Sequence, residues 1–174
     1  MIENTFEKFR NLDAEFSINL TVEDILSDEI ISLLDEKVKD ERFATRVVYE
    51  IVESEGIENL EQVTEFIAKS KECSCSIAID DFGTGYSNFD YLVKLSPNFL
   101  KIDGSMIRDI DTNRDSEEIV KTIIDFAKKR NMLTIAEFVS SKTIFDKVVS
   151  LGIDYSQGYY IGEPKEELLV EFNG

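Results

Sequence analysis

The chain has 174 residues, of which 43% are hydrophobic, and sets 19 Lys and Arg against 36 Asp and Glu for a net charge of −17. That is enough apolar chain for the core of one domain, and too acidic a balance for a nucleic-acid polymer or an anionic membrane surface as partner. Histidine is absent and there are two cysteines, so Ser-His and Cys-His catalysis and a disulfide framework are excluded, and any chemistry must use carboxylates, lysine, amides or bound metal.

No apolar run reaches the roughly 18–20 residues of a membrane span, and no signal-type hydrophobic region follows Met1. Strand-like and helix-like segments then alternate. Glu15–Thr21 is predicted as a strand with Phe16, Ile18 and Leu20 on one face. Ser27 is the expected N-cap of a helix carrying Ile30, Ile31, Leu34 and Val38. Arg46–Val52 is β-branched and predicts a strand, and Asn59–Lys69 a helix with Leu60, Val63 and Ile67 on one stripe. Cys73 and Cys75 open the next apolar run on one strand face and read as filler in a reducing compartment, since C-x-C without further ligands is a poor zinc signal.

Ser76–Asp80 is the third strand, followed by a tight glycine turn, FGTG, and an S-x-x-D capping box at Ser87 and Asp90. Phe99–Asp103 is a strand. Ile119, Ile123, Phe126 and Ala127 predict a helical stripe, and Leu133–Val139 a strand. Ile144, Phe145, Val148 and Val149 mark a helix stopped at Gly152, and Tyr155–Ile161 is the last strand. About six strands alternating with about five helices predict one α/β domain with a mostly parallel sheet, either doubly wound or a (β/α) barrel.

Polar residues interrupt these strands in a repeated place. Asn19, Glu50, Asp80, Lys101 and Glu137 each lie near the C-terminal part of a predicted strand among apolar neighbours, and Asp81 follows Asp80. Burying unpaired carboxylates costs several kcal/mol, so they are expected to be paired or to bind a cation. Barrel enzymes collect their working groups at the C-terminal ends of the strands. Several carboxylates and one amide are hard ligands suited to Mg²⁺, Mn²⁺ or Ca²⁺. Adjacent aspartates face opposite ways in a regular strand, but where the backbone turns both reach one site and bridge two ions. Two such cations deprotonate a water and stabilise a leaving oxygen, so the residues point to metal-dependent phosphoester hydrolysis with Lys101 orienting water or neutralising charge.

At Asp80–Ser87, DDFGTGYS, the chain resembles the EAL family of bacterial cyclic-di-GMP phosphodiesterase domains. SINLT, YEIVES, LKID, IAEFV and QGYYIGEP follow in the family's order. The resemblance implies a TIM-type (β/α) barrel that hydrolyses cyclic-di-GMP to linear pGpG with Mg²⁺ or Mn²⁺. By position it implies Asn19, Glu50, Asp80 and Asp81 as metal ligands. Lys101, Glu137 and Gln157 are implied as catalytic residues, at the attacking water, the metal–water centre and the supporting QGY motif. Asp103 is implied beside Lys101, and Glu53 as a support of the DFGTG loop, which the family links to dimers. It also implies a cytoplasmic domain, in some members the cytoplasmic part of a membrane-attached sensor, joined in a parent protein to a sensor or GGDEF-type domain.

The departures carry expectations of their own. The Glu-Ala-Leu motif does not occur in this sequence, and the family's AEGVE segment reads Ala136-Glu137-Phe138-Val139-Ser140. The expected architecture over 1–174 is therefore an incomplete barrel lacking the first βα unit, with a weakened metal site, a mouth crowded by Phe138 and impaired or absent hydrolysis. The alternative is a non-catalytic cyclic-di-GMP-binding or dimerisation and signal-relay module. An open sheet edge predicts homodimerisation or other self-association.

Overall fold

In a computed structural model the described residues are 2–52, 59–83 and 89–165. Six strands, β1 (Phe16–Leu20), β2 (Val47–Val52), β3 (Ser76–Phe82), β4 (Phe99–Ile102), β5 (Leu133–Ala136) and β6 (Tyr155–Ser156), form one sheet in sequence order. Every pairing is parallel. Parallel neighbours need a crossover, and here each lies in the chain between successive strands. The crossovers carry α2 (Val22–Ile25), α3 (Asp28–Lys37) and α4 (Glu41–Ala44), then α5 (Leu60–Glu72), α6 (Phe89–Leu95), α7 (Gly104–Ile107) with α8 (Arg114–Lys129), and α9 (Lys142–Leu151); α1 (Ile2–Phe9) precedes β1. Six consecutive parallel strands with intervening helices follow the alternation from which (β/α) barrels are built. No helix among the described residues is long and apolar enough to cross a membrane.

Period-2 alternation divides each strand between two environments. Phe16, Ile18 and Leu20 of β1, Val47, Tyr49 and Ile51 of β2, and Ile77 and Ile79 of β3 are buried in one core with Val63, Ile67, Leu92, Ile123 and Val148 of the helices. The opposite face lines a hollow built from Val48, Glu50, Ala78, Phe99, Ile135 and Tyr155. By the same alternation Asn19, Glu50, Asp80 and Lys101 share the inner face, whereas Thr134 lies on the other.

The predicted helices are present with shifted faces. Ser27 caps α3, its hydroxyl accepting from the Ile30 amide, and Gly152 ends α9 in the left-handed conformation. In α8 the buried stripe is Val120, Ile123, Ile124 and Ala127, while Ile119 is exposed. Val149 of α9 is likewise exposed.

Two strands are shorter than their apolar runs. β5 ends at Ala136 and β6 at Ser156, because Phe138 (φ 53°) and Gly158 (φ 146°) turn the chain out of the ladder. The short helices α2, α4 and α7, and α1, carry no expectation from periodicity. Gly83 has the positive φ expected of the glycine turn, whereas the rest of that turn, the Ser87 half of the capping box and Glu53 lie outside the described residues. Cys73 and Cys75 are free thiols, and burial pushes Cys75 up to about 11.

Candidate metal and hydrolytic site

The site starts with a fault in a strand. The β3–β4 register shifts between Ile79 and Phe82, Asp81 takes a left-handed φ of 57°, and its amide donates to Oδ1 of Asp80 at 3.0 Å. In a regular strand adjacent carboxylates would part to opposite faces. The bulge instead brings ligand oxygens of Asp80, Asp81 and Glu137 within 4.8 Å of one another.

Lys101 enters this group from β4 and is 4% exposed. Its Nζ lies 2.8 Å from Oδ1 of Asp80, 3.0 Å from Oε2 of Glu50 and 3.1 Å from Oε1 of Glu137. Burial works to lower the lysine's pKa. The Asp80 hydrogen bond and the charges of Glu50, Glu137 and Asp80 overcome it, so the ammonium is held well above its ordinary value.

Glu137 lies just past β5, its amide bonded to the Ile102 carbonyl at 3.2 Å. Its Oε1 accepts from Lys101 and from the Gln157 amide, 2.7 Å away. Its Oε2 is buried without a hydrogen-bond partner. Burial, opposed by Lys101 and reinforced by Asp80 and Asp81, raises this carboxyl to about 7. Lys101 has three acids to stabilise its charge, whereas Glu137 has one cation set against two anions, so both move upward. Asp81 is also raised, by burial and then by Asp80 and Asp103.

Gln157 is held by the same backbone that ends the sheet. Its amide bonds the Ala136 carbonyl at 2.8 Å and its carbonyl accepts from Val139 at 3.0 Å. A Cβ on Gly158 would stand 2.4 Å from the Val139 nitrogen and 2.5 Å from its oxygen. Gly158→Ala is therefore expected to cost about 1–3 kcal/mol in urea unfolding and to displace Gln157 from Glu137.

Of the expected site residues, Glu50, Asp80, Asp81, Lys101, Glu137 and Gln157 converge. Asn19 is level with Glu50 in the β1–β2 ladder, on the exposed face of β1. Asp103 caps α7 by accepting from the Ser105 amide at 2.8 Å, close enough to raise Asp81. Ser140 is exposed on a neighbouring groove. Periodicity gave no sign of Asp154, which accepts from the amide and hydroxyl of buried Thr134 at 2.8 Å each and anchors the approach to β6. The donor set fits a hard divalent cation: carboxylate oxygens converge, and a buried Glu137 oxygen lacks a hydrogen-bond partner among the described residues.

The family described as EAL domain matches residues 1–164. The cyclic di-GMP phosphodiesterase PdeF of Escherichia coli K12 is 43% identical over 122 residues, 70% of this chain and 16% of that protein. The probable cyclic di-GMP phosphodiesterase PdeA of the same strain is 36% identical over 151 residues, 86% of this chain and 21% of its own length. The chain thus matches only about a sixth to a fifth of these curated relatives. The crystal structure of the FimX EAL domain from Pseudomonas aeruginosa bound to c-di-GMP superposes with a TM-score of 0.90 at 25% identity, covering 99% of this chain and 71% of that one. Klebsiella pneumoniae BlrP1, in its manganese and cyclic-di-GMP complex, shares the fold with a TM-score of 0.80 at 23% identity, over 88% of this chain and 40% of that one. The chain belongs to the EAL domain family, and its parallel sheet is built as in that family's TIM-barrel-like fold.

Proposed function

We propose that this chain serves cyclic-di-GMP signalling as a metal-dependent binding domain whose family reaction is hydrolysis to pGpG, and that the chain by itself does not turn the ligand over. The observation that carries this reading is Lys101 caged by Glu50, Asp80 and Glu137 beside Asp81. Asp80, Asp81 and Glu137 would hold a divalent cation, Mg²⁺ or Mn²⁺, with Glu50 and Asn19 extending the ligand set. Such an ion would supply a water of lowered pKa and neutralise phosphate charge.

The protein groups divide the remaining work. Lys101 keeps its proton, so it acts as a fixed cation and hydrogen-bond donor toward water or phosphate and not as a base. Glu137, with one oxygen turned to Lys101 and Gln157 and the other without a hydrogen-bond partner among the described residues, is placed to take the proton of the attacking water. Gln157 keeps that carboxylate in one orientation. In the family reaction a water oxygen would bond to phosphorus as the P–O3′ bond breaks, the water's proton passing toward Glu137 and the departing 3′-oxygen taking a proton from solvent, which opens the ring to the linear dinucleotide.

The expected lack of turnover follows from Ser140 in place of a motif glutamate; losses even in the shell around metal ligands cost about 10–100-fold. Incubation with Mn²⁺ and cyclic-di-GMP, followed by chromatography for pGpG, is expected to show no steady product. Steady turnover abolished by Lys101→Ala would contradict the reading. Within it, 1–174 is one EAL-like unit forming the C-terminal portion of a barrel, cytoplasmic, and joined in its parent to a sensor or GGDEF-type domain. The second reading is a dimerising or signal-relay module. Sedimentation at high concentration is expected to show self-association, and a stable monomer would count against it.

A further inference from the structure

Phe138 stands where the family's motif has glycine, and it keeps a glycine-like backbone. Its φ is 53°, a conformation costly for a bulky side chain, and the residue is 56% exposed. The ring is seated on Gly104: a Cβ there would fall 2.3 Å from Phe138 Cδ2. It lines a groove with Tyr159 and Ile161, which are 68% and 48% exposed. Gln157 lines the same groove and donates to Glu137. The groove and the carboxylate cluster therefore share a wall. Strain of this kind persists where the surroundings hold it in place, and it gathers at ligand sites.

From these observations we infer that Phe138, with Tyr159 on the same groove, is an aromatic platform that stacks one purine base of the ligand whose phosphate lies at the carboxylate cluster. The inference rests on the proposed cyclic-di-GMP reading and adds a base-recognition surface particular to this chain, because a glycine at that position offers no ring. An apolar groove lined by aromatic side chains suits a planar heterocycle, and its continuity with the carboxylate cluster selects a nucleotide over an unattached apolar ligand.

The test is calorimetry of the full chain in Mn²⁺ with two probes, cyclic-di-GMP and GMP, on wild type, Phe138→Gly, Phe138→Leu and Phe138→Trp. Loss of a stacked base predicts a fall of about 5- to 150-fold in affinity for Phe138→Gly. Phe138→Leu, apolar but without a π-face, should also fall, and Phe138→Trp should retain binding. Phe138→Gly eases the backbone, so its thermal midpoint should match or exceed wild type and unfolding would not explain the loss. Equal or tighter binding by Phe138→Gly would overturn the platform and make the ring an obstruction. Wild type that takes GMP in a Phe138-dependent way but not cyclic-di-GMP supports the platform and removes the cyclic-di-GMP reading. Binding of neither probe removes both.

Discussion

Lys101→Met is expected to destabilise the metal-free protein by about 3–5 kcal/mol, the cost of removing one partner from a buried ion cluster. Methionine retains much of the apolar stem, so the loss isolates the charge. The side chains of Glu50, Asp80 and Glu137 are 13%, 16% and 6% exposed, which leaves their mutual repulsion poorly screened once the ammonium is gone. For a domain of this size the loss corresponds to a fall of roughly 6–20 °C in melting midpoint. Mn²⁺ should return more stability to the variant than to wild type, since a divalent cation replaces the missing counter-charge. A midpoint in EDTA within about 2 °C of wild type would show that the cage does not hold the carboxylates together.

Phe6→Ala tests the outermost part of the core. Phe6 is 1% exposed and makes edge-to-face contacts with Phe16 at 5.4 Å and Phe43 at 5.2 Å, while Phe9 stacks on Phe16 at 4.7 Å. The Arg46 guanidinium lies over Phe16 and Phe43 and donates to the carbonyls of Phe9, Leu12 and Ala14. This ties α1 and its following turn to the start of β2. Truncation is expected to cost about 3–5 kcal/mol in urea unfolding. A loss under about 1 kcal/mol would mean that α1 packs independently of the sheet.

The strands were legible because their burial is regular. Alternation in Glu15–Thr21 and β-branching in Arg46–Val52 mark β1 and β2 within a residue or two. α1 carries no legible pattern because three apolar residues, Ile2, Phe6 and Phe9, make too sparse a stripe in so short a segment. α2, α4 and α7 are single turns set by local caps such as the Thr21–Asp24 capping box, which leave no periodicity to find. β5 and β6 were overextended because Phe138 and Tyr159 continue an apolar pattern after the backbone has left the ladder. Only dihedral angles reveal that departure.

The site divides in the same way. Polar residues at strand ends were visible as residue types in a repeated place, and the inner-face alternation explains why they converge. That Asp80 and Asp81 share a side depends on a one-residue register shift that no spacing announces. Gln157 sits in no periodic pattern, and its importance came from family resemblance; its bond to Glu137 is a contact across 20 residues of sequence. Phe138 was expected to crowd the mouth. Its seat on Gly104 and its open face became apparent only from the folded chain.

The central claim, that the carboxylate cluster is a cation site through which this chain binds cyclic-di-GMP, is tested most directly by calorimetric titration of wild type with cyclic-di-GMP in Mn²⁺ and again in EDTA, alongside Asp80→Asn in Mn²⁺. Saturable binding is expected in Mn²⁺, disappearing in EDTA and falling at least about tenfold in the variant. Equal affinity in Mn²⁺ and EDTA, unaffected by Asp80→Asn, would contradict the claim.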